Sequence, residues 1–358
     1  MAFPTNPWIP PIPPIPLIDF NRELNQRVLD LHLQGTDGPR LLHSGPGSDW
    51  IPQGQGHDAG RGEVLSTYND GGQVLLSFQK IVSECDPATD EVSVILGGDP
   101  EDPDAGAPSK GGGVATDGEY IYVADTQEVY VYRRTDVEAA LQPEAPRPPL
   151  RPDAQPSTSQ LLQRPVTPTV EAIARIPIDA GDGNDISASY LTLHDGHLYV
   201  GDFTSTGITN TFSGRNDPTR DAELRRYALD PDTGLFDPAD YRSIEAPKYA
   251  QGAVVTDTGV LFSTSLGSGV TAPADDLVFQ PTTDTPATFS TDGDAREVGH
   301  LPHYAQGLNV IDGELWVTHE SAADKYRDNV DDPLDHIQRY SIDDLGLSPG
   351  DLGIDTRG

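Results

Sequence analysis

The chain has 358 residues, 35% hydrophobic and 7% aromatic, with 36 glycines, 33 prolines and one cysteine. Its 57 acidic against 23 basic residues give a net charge of −34; such a field repels phosphate backbones and anionic lipid and argues against nucleic-acid and membrane-surface partners. The lone Cys85 excludes an intrachain disulfide and a multi-cysteine zinc site, and no stretch approaches the roughly 20 apolar residues that span a bilayer.

Residues 8–18 are apolar but interrupted by prolines at 10, 11, 13, 14 and 16, with no basic segment ahead of them. This reads as a Pro-rich arm rather than a secretory leader, so the expected location is the cytoplasm, with signal-less export as the alternative. Phe20–Leu33, with Asp19 as N-cap and apolar Leu24, Val28 and Leu31, predicts one short amphipathic helix. Residues 1–38 are therefore assigned to arm and helix, and 39–358 to a repeat domain.

Five segments there share a pattern of a small or Gln-Gly start, an apolar run, an Asp/Gly turn and an alternating strand. They begin at Gln53, Gly111, Ser189, Gln251 and Gln306, at spacings of 58, 78, 62 and 55 residues. The long step contains residues 135–168, rich in Pro, Ala and Gln, which read as an exposed insertion. Without those 34 residues it falls to 44, suited to a four-stranded blade.

The expectation is an all-β, five-bladed β-propeller; six blades is the alternative, with an irregular unit within 135–185 or 268–300. Predicted third strands are Val74–Phe78, Val129–Arg133, Glu223–Leu229 and Ile337–Ile342. The fifth unit lacks an outer strand, and Arg40–Ser44 lacks a blade of its own. Pairing the two closes the ring and removes an exposed sheet edge.

In such a ring the starts of the first strands and the ends of the second strands meet at one mouth of the central channel. That places Gln53, Tyr68, Asn69, Lys110, Ser189, Gln251, Ser265 and Gln306 as candidate ligand-binding residues. The glutamines serve either as bridges between blades or as a ring of amides gripping a polar ligand. Asp125, Asp202 and Glu320, from three blades, offer oxygen ligands suited to Ca2+ or Mg2+; the alternative is that each caps the following turn. His319 is the candidate general base, or else a packed histidine beside Trp316. Asp179–Asp185 has calcium-loop composition without EF-hand spacing. Gly111-Gly112-Gly113 opens a strand rather than a helix, so it holds no phosphate.

Over about residues 50–345 this pattern resembles the gluconolactonase, regucalcin and strictosidine-synthase-like propellers and, more loosely, NHL-type repeats. In lactonases of that group an inner-strand Glu, an Asn and an Asp hold one divalent cation above the channel. At the matching starts this chain has Gln53 in the usual Glu position, then Gly111, Ser189, Gln251 and Gln306, none of them a carboxylate. Two functions follow as expectations. One is a non-catalytic propeller binding a polar small molecule, glycan or protein; the other is a divalent-metal-dependent lactonase or esterase.

Overall fold

The computed structural model describes residues 33–81, 91–102, 106–142, 167–178, 186–204, 221–265, 275–285, 287–345 and 347. The expected N-terminal helix, Cys85 and the Asp179–Asp185 loop lie outside them.

A first strand, β1 (Thr36–Arg40), precedes the blades. Blade 1 holds β2 (Ile51–Asp58), β3 (Glu63–Asn69), β4 (Val74–Lys80) and β5 (Val92–Leu96). Blade 2 holds β6 (Gly113–Thr116), β7 (Tyr120–Asp125) and β8 (Glu128–Arg133), with β9 (Thr169–Val170) returning to pair parallel with β5 and β10 (Ala174–Pro177) completing blade 2. Blade 3 is β11 (Ala188–His194), β12 (His197–Asp202), β13 (Ala222–Ala228) and β14 (Tyr241–Ala246). In blade 4, β15 (Ala250–Thr256) and β16 (Gly259–Thr264) lead to the long β17 (Asp275–Thr285), which pairs with both β18 (Thr288–Thr291) and β19 (Arg296–Leu301). Blade 5 is β20 (Ala305–Ile311), β21 (Glu314–His319) and β22 (His336–Ser341), and β1 supplies its outer strand. The protein is a five-bladed β-propeller.

Ring closure follows the expected pairing, shifted towards the N-terminus. Thr36 opposes Arg339 and Arg40 opposes His336, so the closing strand ends where Arg40–Ser44 was expected to begin. Residues 41–44 instead turn towards β2, with Leu41 fully buried at the seam. The hairpin turns obey local chemistry. His194 pairs with His197 around Asp195 (φ +45) and Gly196 (φ +71), and Ile311 pairs with Glu314 around Asp312 (φ +50) and Gly313 (φ +80). Both are two-residue turns needing left-handed backbone at two successive positions, which Asp-Gly tolerates.

Five apolar clusters fill the layers between blades, one at each junction. At the centre, inner strands of neighbouring blades touch backbone to backbone. A Cβ on Gly54 would lie 2.6 Å from Gly113 Cα, and one on Gly252 would lie 2.2 Å from the Gln306 carbonyl oxygen. The glycine after each Gln is thus what lets the ring close tightly.

The insertion expected at 135–168 begins as structure. Helix α1 (Arg134–Leu141) buries Val137 in the layer between blades 1 and 2. Arg134, also buried, sits 2.5 Å from Glu63 Oε2, 3.1 Å from Glu138 Oε1 and 4.4 Å above the Phe78 ring. A buried cation paired on two sides fixes that turn against blade 1, a tertiary tie that composition does not reveal. Residues 143–166 lie outside the described part.

Candidate functional site

Four of the five inner strands slip register at the same place. The shift falls between Pro52 and Gln55, between Ala188 and Tyr190, between Ala250 and Gly252, and between Ala305 and Leu308. Within those bulges lie Gln53, Ser189, Gln251 and Gln306, the residues the repeat singled out. A bulge interrupts the pleat and re-aims the side chain that it carries. Just ahead of two of them, Tyr249 and Tyr304 both hold φ +66, a conformation bulky residues rarely adopt. The repeated Tyr-Ala pair was the sequence signal for this feature, and its strain was not legible there.

Six candidates are brought together at the mouth. Gln53 Nε2 donates to the Pro52 carbonyl at 3.1 Å and to the carboxylate of Glu320. Lys110 Nζ lies 3.4 Å from Ser189 Oγ, and the Lys110 carbonyl accepts a bond from Asn69 Nδ2 at 3.2 Å. Asp125 accepts from the backbone N–H of Ser109 at 2.9 Å and of Lys110 at 3.1 Å.

Burial lowers the Lys110 ammonium below the usual lysine range, opposed by the nearby Glu320 and Asp125 carboxylates. Burial likewise raises Glu320, opposed by the Gln53 bond and by Lys110 and Lys325. Lys325, on the short helix α2 (Asp324–Arg327), was not singled out by the sequence pattern. Beside it Tyr326 packs 4.8 Å from the Tyr304 ring. Two of the chain's four lysines therefore flank one carboxylate, yet neither closes an ion pair with it.

The remaining candidates make other contacts. Tyr68 is fully buried between blades 1 and 5, because its side chain faces the neighbouring sheet rather than the channel. His319 is also fully buried, its Nδ1 3.3 Å from the His303 carbonyl. Asp202 is buried and accepts the Ser187 N–H at 2.7 Å, a strand-end cap like Asp125. Ser265 bonds to Asp275, whose carboxyl burial pushes up to about 8 while also accepting the Ala305 N–H at 2.9 Å. Gln306 is buried, and its carbonyl accepts Ser263 Oγ at 2.8 Å. Gln251 is half-buried.

Asp125, Asp202 and Glu320 do not converge into a donor set. Among the described residues, the one cluster of three with metal-ligand spacing is Asp276, Glu297 and His300, on β17 and β19. There His300 stands between the two carboxylates, Nδ1 at 3.0 Å from Asp276 and Nε2 at 3.3 Å from Glu297. No helix is long and apolar enough to cross a membrane, among the described residues.

No protein-family model matches the chain, and no curated protein does. Among solved structures it is similar to a putative 6-phosphogluconolactonase from Bacteroides uniformis, at 10% identity and TM-score 0.39, over 70% of this chain and 56% of that one. It is also similar to a gluconolactonase from Xanthomonas campestris, at 10% identity and TM-score 0.39, over 81% and 94%. A luciferin-regenerating enzyme aligns at 9% identity and TM-score 0.36, over 86% and 95%.

Proposed function

We propose that this chain is a binding propeller whose channel mouth holds a polar small molecule or the polar end of a glycan. One observation carries the reading. Lys110 and Glu320 face each other closely enough to perturb one another without closing an ion pair. Gln53, Ser189 and Asn69 stand around them. A half-buried ammonium and carboxylate held apart in this way give donors and acceptors to a hydroxyl-rich guest, and the amides fix its orientation. The mouth's lysines oppose a cation there, and Asp125 and Asp202 each accept a backbone N–H that caps a strand end.

A thermal-shift screen of neutral sugars, sugar amines and amino acids tests this, with a glycan array for larger guests. Stabilisation lost in Lys110→Met and in Glu320→Gln supports it. Turnover of a lactone or ester that needs a divalent metal would replace it with the hydrolase reading.

A further inference from the structure

The outer strand of blade 4 is broken. β18 pairs with the end of β17, from Thr282 to Thr285, and β19 pairs with its start, from Asp275 to Phe279. Between them the chain leaves the ladder and turns at Gly293, whose φ of +104 favours glycine. Gln280 stands at the break and is 8% exposed. Its Nε2 donates to the Pro281 carbonyl at 2.9 Å and to the Gly293 carbonyl at 3.0 Å, which uses both amide hydrogens. Its Oε1 accepts no bond from any described residue.

Across from this break, β14 is the last strand of the blade 3 sheet. In an antiparallel pair alternate residues turn both N–H and C=O away from the partner strand, so β14 carries a row of unpaired backbone groups along its outer edge. Between the two blades lies a cleft of about 520 Å3, lined by residues 243–247, 289–291 and 293–295 and by Gln280. Five consecutive residues along one wall mean that the edge of β14 borders the cleft, as well as one face. Ile244, Ala246 and Phe289, all from the apolar layer between these blades, form its floor.

Its charged lining residues are Glu245 and Asp294, with no lysine, arginine or histidine among them. Neither closes an ion pair with a described residue. Glu245 stands directly opposite Glu223 on β13, a like-charge pairing that sheets disfavour. Arg225 lies 2.9 Å from Glu223 and serves that carboxylate, which leaves Glu245 without a counter-charge.

We infer that the cleft is a docking site for a short basic peptide segment, which adds as a fifth strand to the edge of β14. In strand addition, main-chain bonds supply affinity and the alternating side chains supply specificity. The residues of the guest opposite Ile244 and Ala246 face the apolar floor, and the one between them is a lysine or arginine beside Glu245. The Gln280 Oε1 is left as an acceptor for a guest N–H at the other wall.

The probe is fluorescein-labelled acetyl-Ser-Val-Lys-Val-Ser-amide, titrated into the full chain by fluorescence anisotropy beside two N-methylated versions. One is methylated on both valines, the other on the lysine and the second serine. Only alternate N–H groups of an added strand face its neighbour, so one version should lose binding and the other should keep it. Glu245→Gln should weaken binding several-fold, and Glu119→Gln, an exposed acid on blade 2, should leave it unchanged. Bound peptide should slow hydrogen exchange along β14. Absence of saturable binding, binding kept by both methylated versions, equal weakening in both variants, or protection elsewhere would each overturn the inference. So would a dimer of the chain pairing through this edge. None of these results depends on what occupies the mouth.

Discussion

Gln53, in the inner strand of blade 1, donates to the carboxylate of Glu320, which follows the second strand of blade 5, across 267 positions of sequence. The bond crosses the seam at which the ring closes. Three more bonds cross nearby. Gln79 Nε2 reaches the Arg40 carbonyl at 2.7 Å, Asn309 Nδ2 the Gln55 carbonyl at 3.0 Å, and Thr318 Oγ1 the Gln55 side chain at 3.0 Å. Gln53, at the start of its inner strand, thus bridges blades 1 and 5 and also positions a mouth carboxylate.

The central ring depends on missing side chains. Gly252→Ala would set a methyl 2.2 Å from the Gln306 carbonyl oxygen, a backbone atom that cannot move aside. Overpacking of this kind costs about 1–3 kcal/mol or more, and the melting temperature should fall by several degrees. Gly72→Ala is the control, since its Cβ would meet nothing nearer than 3.9 Å. Equal melting of both variants would refute the tight-ring account.

Insertion boundaries can be checked by paired deletions. Removing residues 143–166 behind a short linker should leave melting nearly unchanged, since their composition offers little apolar surface to bury. Extending the deletion back to residue 135 removes Val137 from the core and Glu138 from Arg134. Full burial of a valine contributes about 1.5–3 kcal/mol, so this second deletion should melt measurably lower. Identical melting of the two would mean α1 is dispensable.

The repeat was legible because each blade restates one pattern of apolar run, Asp-Gly turn and alternating strand. The hairpin turns at Asp195-Gly196 and Asp312-Gly313 followed directly from that local chemistry. The register slips were not legible, because a bulge changes pairing without changing composition. Tyr68 was misplaced for a related reason: along a strand successive side chains face opposite ways, and at its end Asn69 reaches the mouth while Tyr68 does not. Lys325 and Asp275 escaped notice because no repeated position marks them. Their roles come from contacts between blades, which no single blade contains.

Asp275 gives the fold a pH dependence of known sign. Its folded carboxyl is raised to about 8 by burial, against about 3.9 when unfolded. The native state therefore holds a proton that the unfolded chain has released between those values, and stability falls as pH rises from about 4 to about 8. Asp275→Asn keeps an oxygen for the Ala305 N–H and cannot ionise. It should melt close to the native protein near pH 4, gain on it as pH rises, and melt several degrees higher at pH 9. Parallel melting curves across that range would count against a protonated Asp275.

Lys110 separates a ligand-binding mouth from a merely structural one. Burial lowers its pKa despite two nearby carboxylates, so its native charge is held at a cost to stability. By linkage the fold binds that proton less well than the unfolded chain, and this cost lessens as pH rises through the lysine range. A structural lysine closes an ion pair, and removing it exposes the partner to an unbalanced burial; Lys110 closes none with Glu320 or Asp125. Lys110→Met should therefore melt at or above the native temperature while losing any guest found by screening, the usual exchange of stability for function at a site. Glu320→Gln should behave in the same way, since it keeps an oxygen for Gln53. A drop of several degrees in Lys110→Met, with guest binding intact, would reassign the residue to the scaffold.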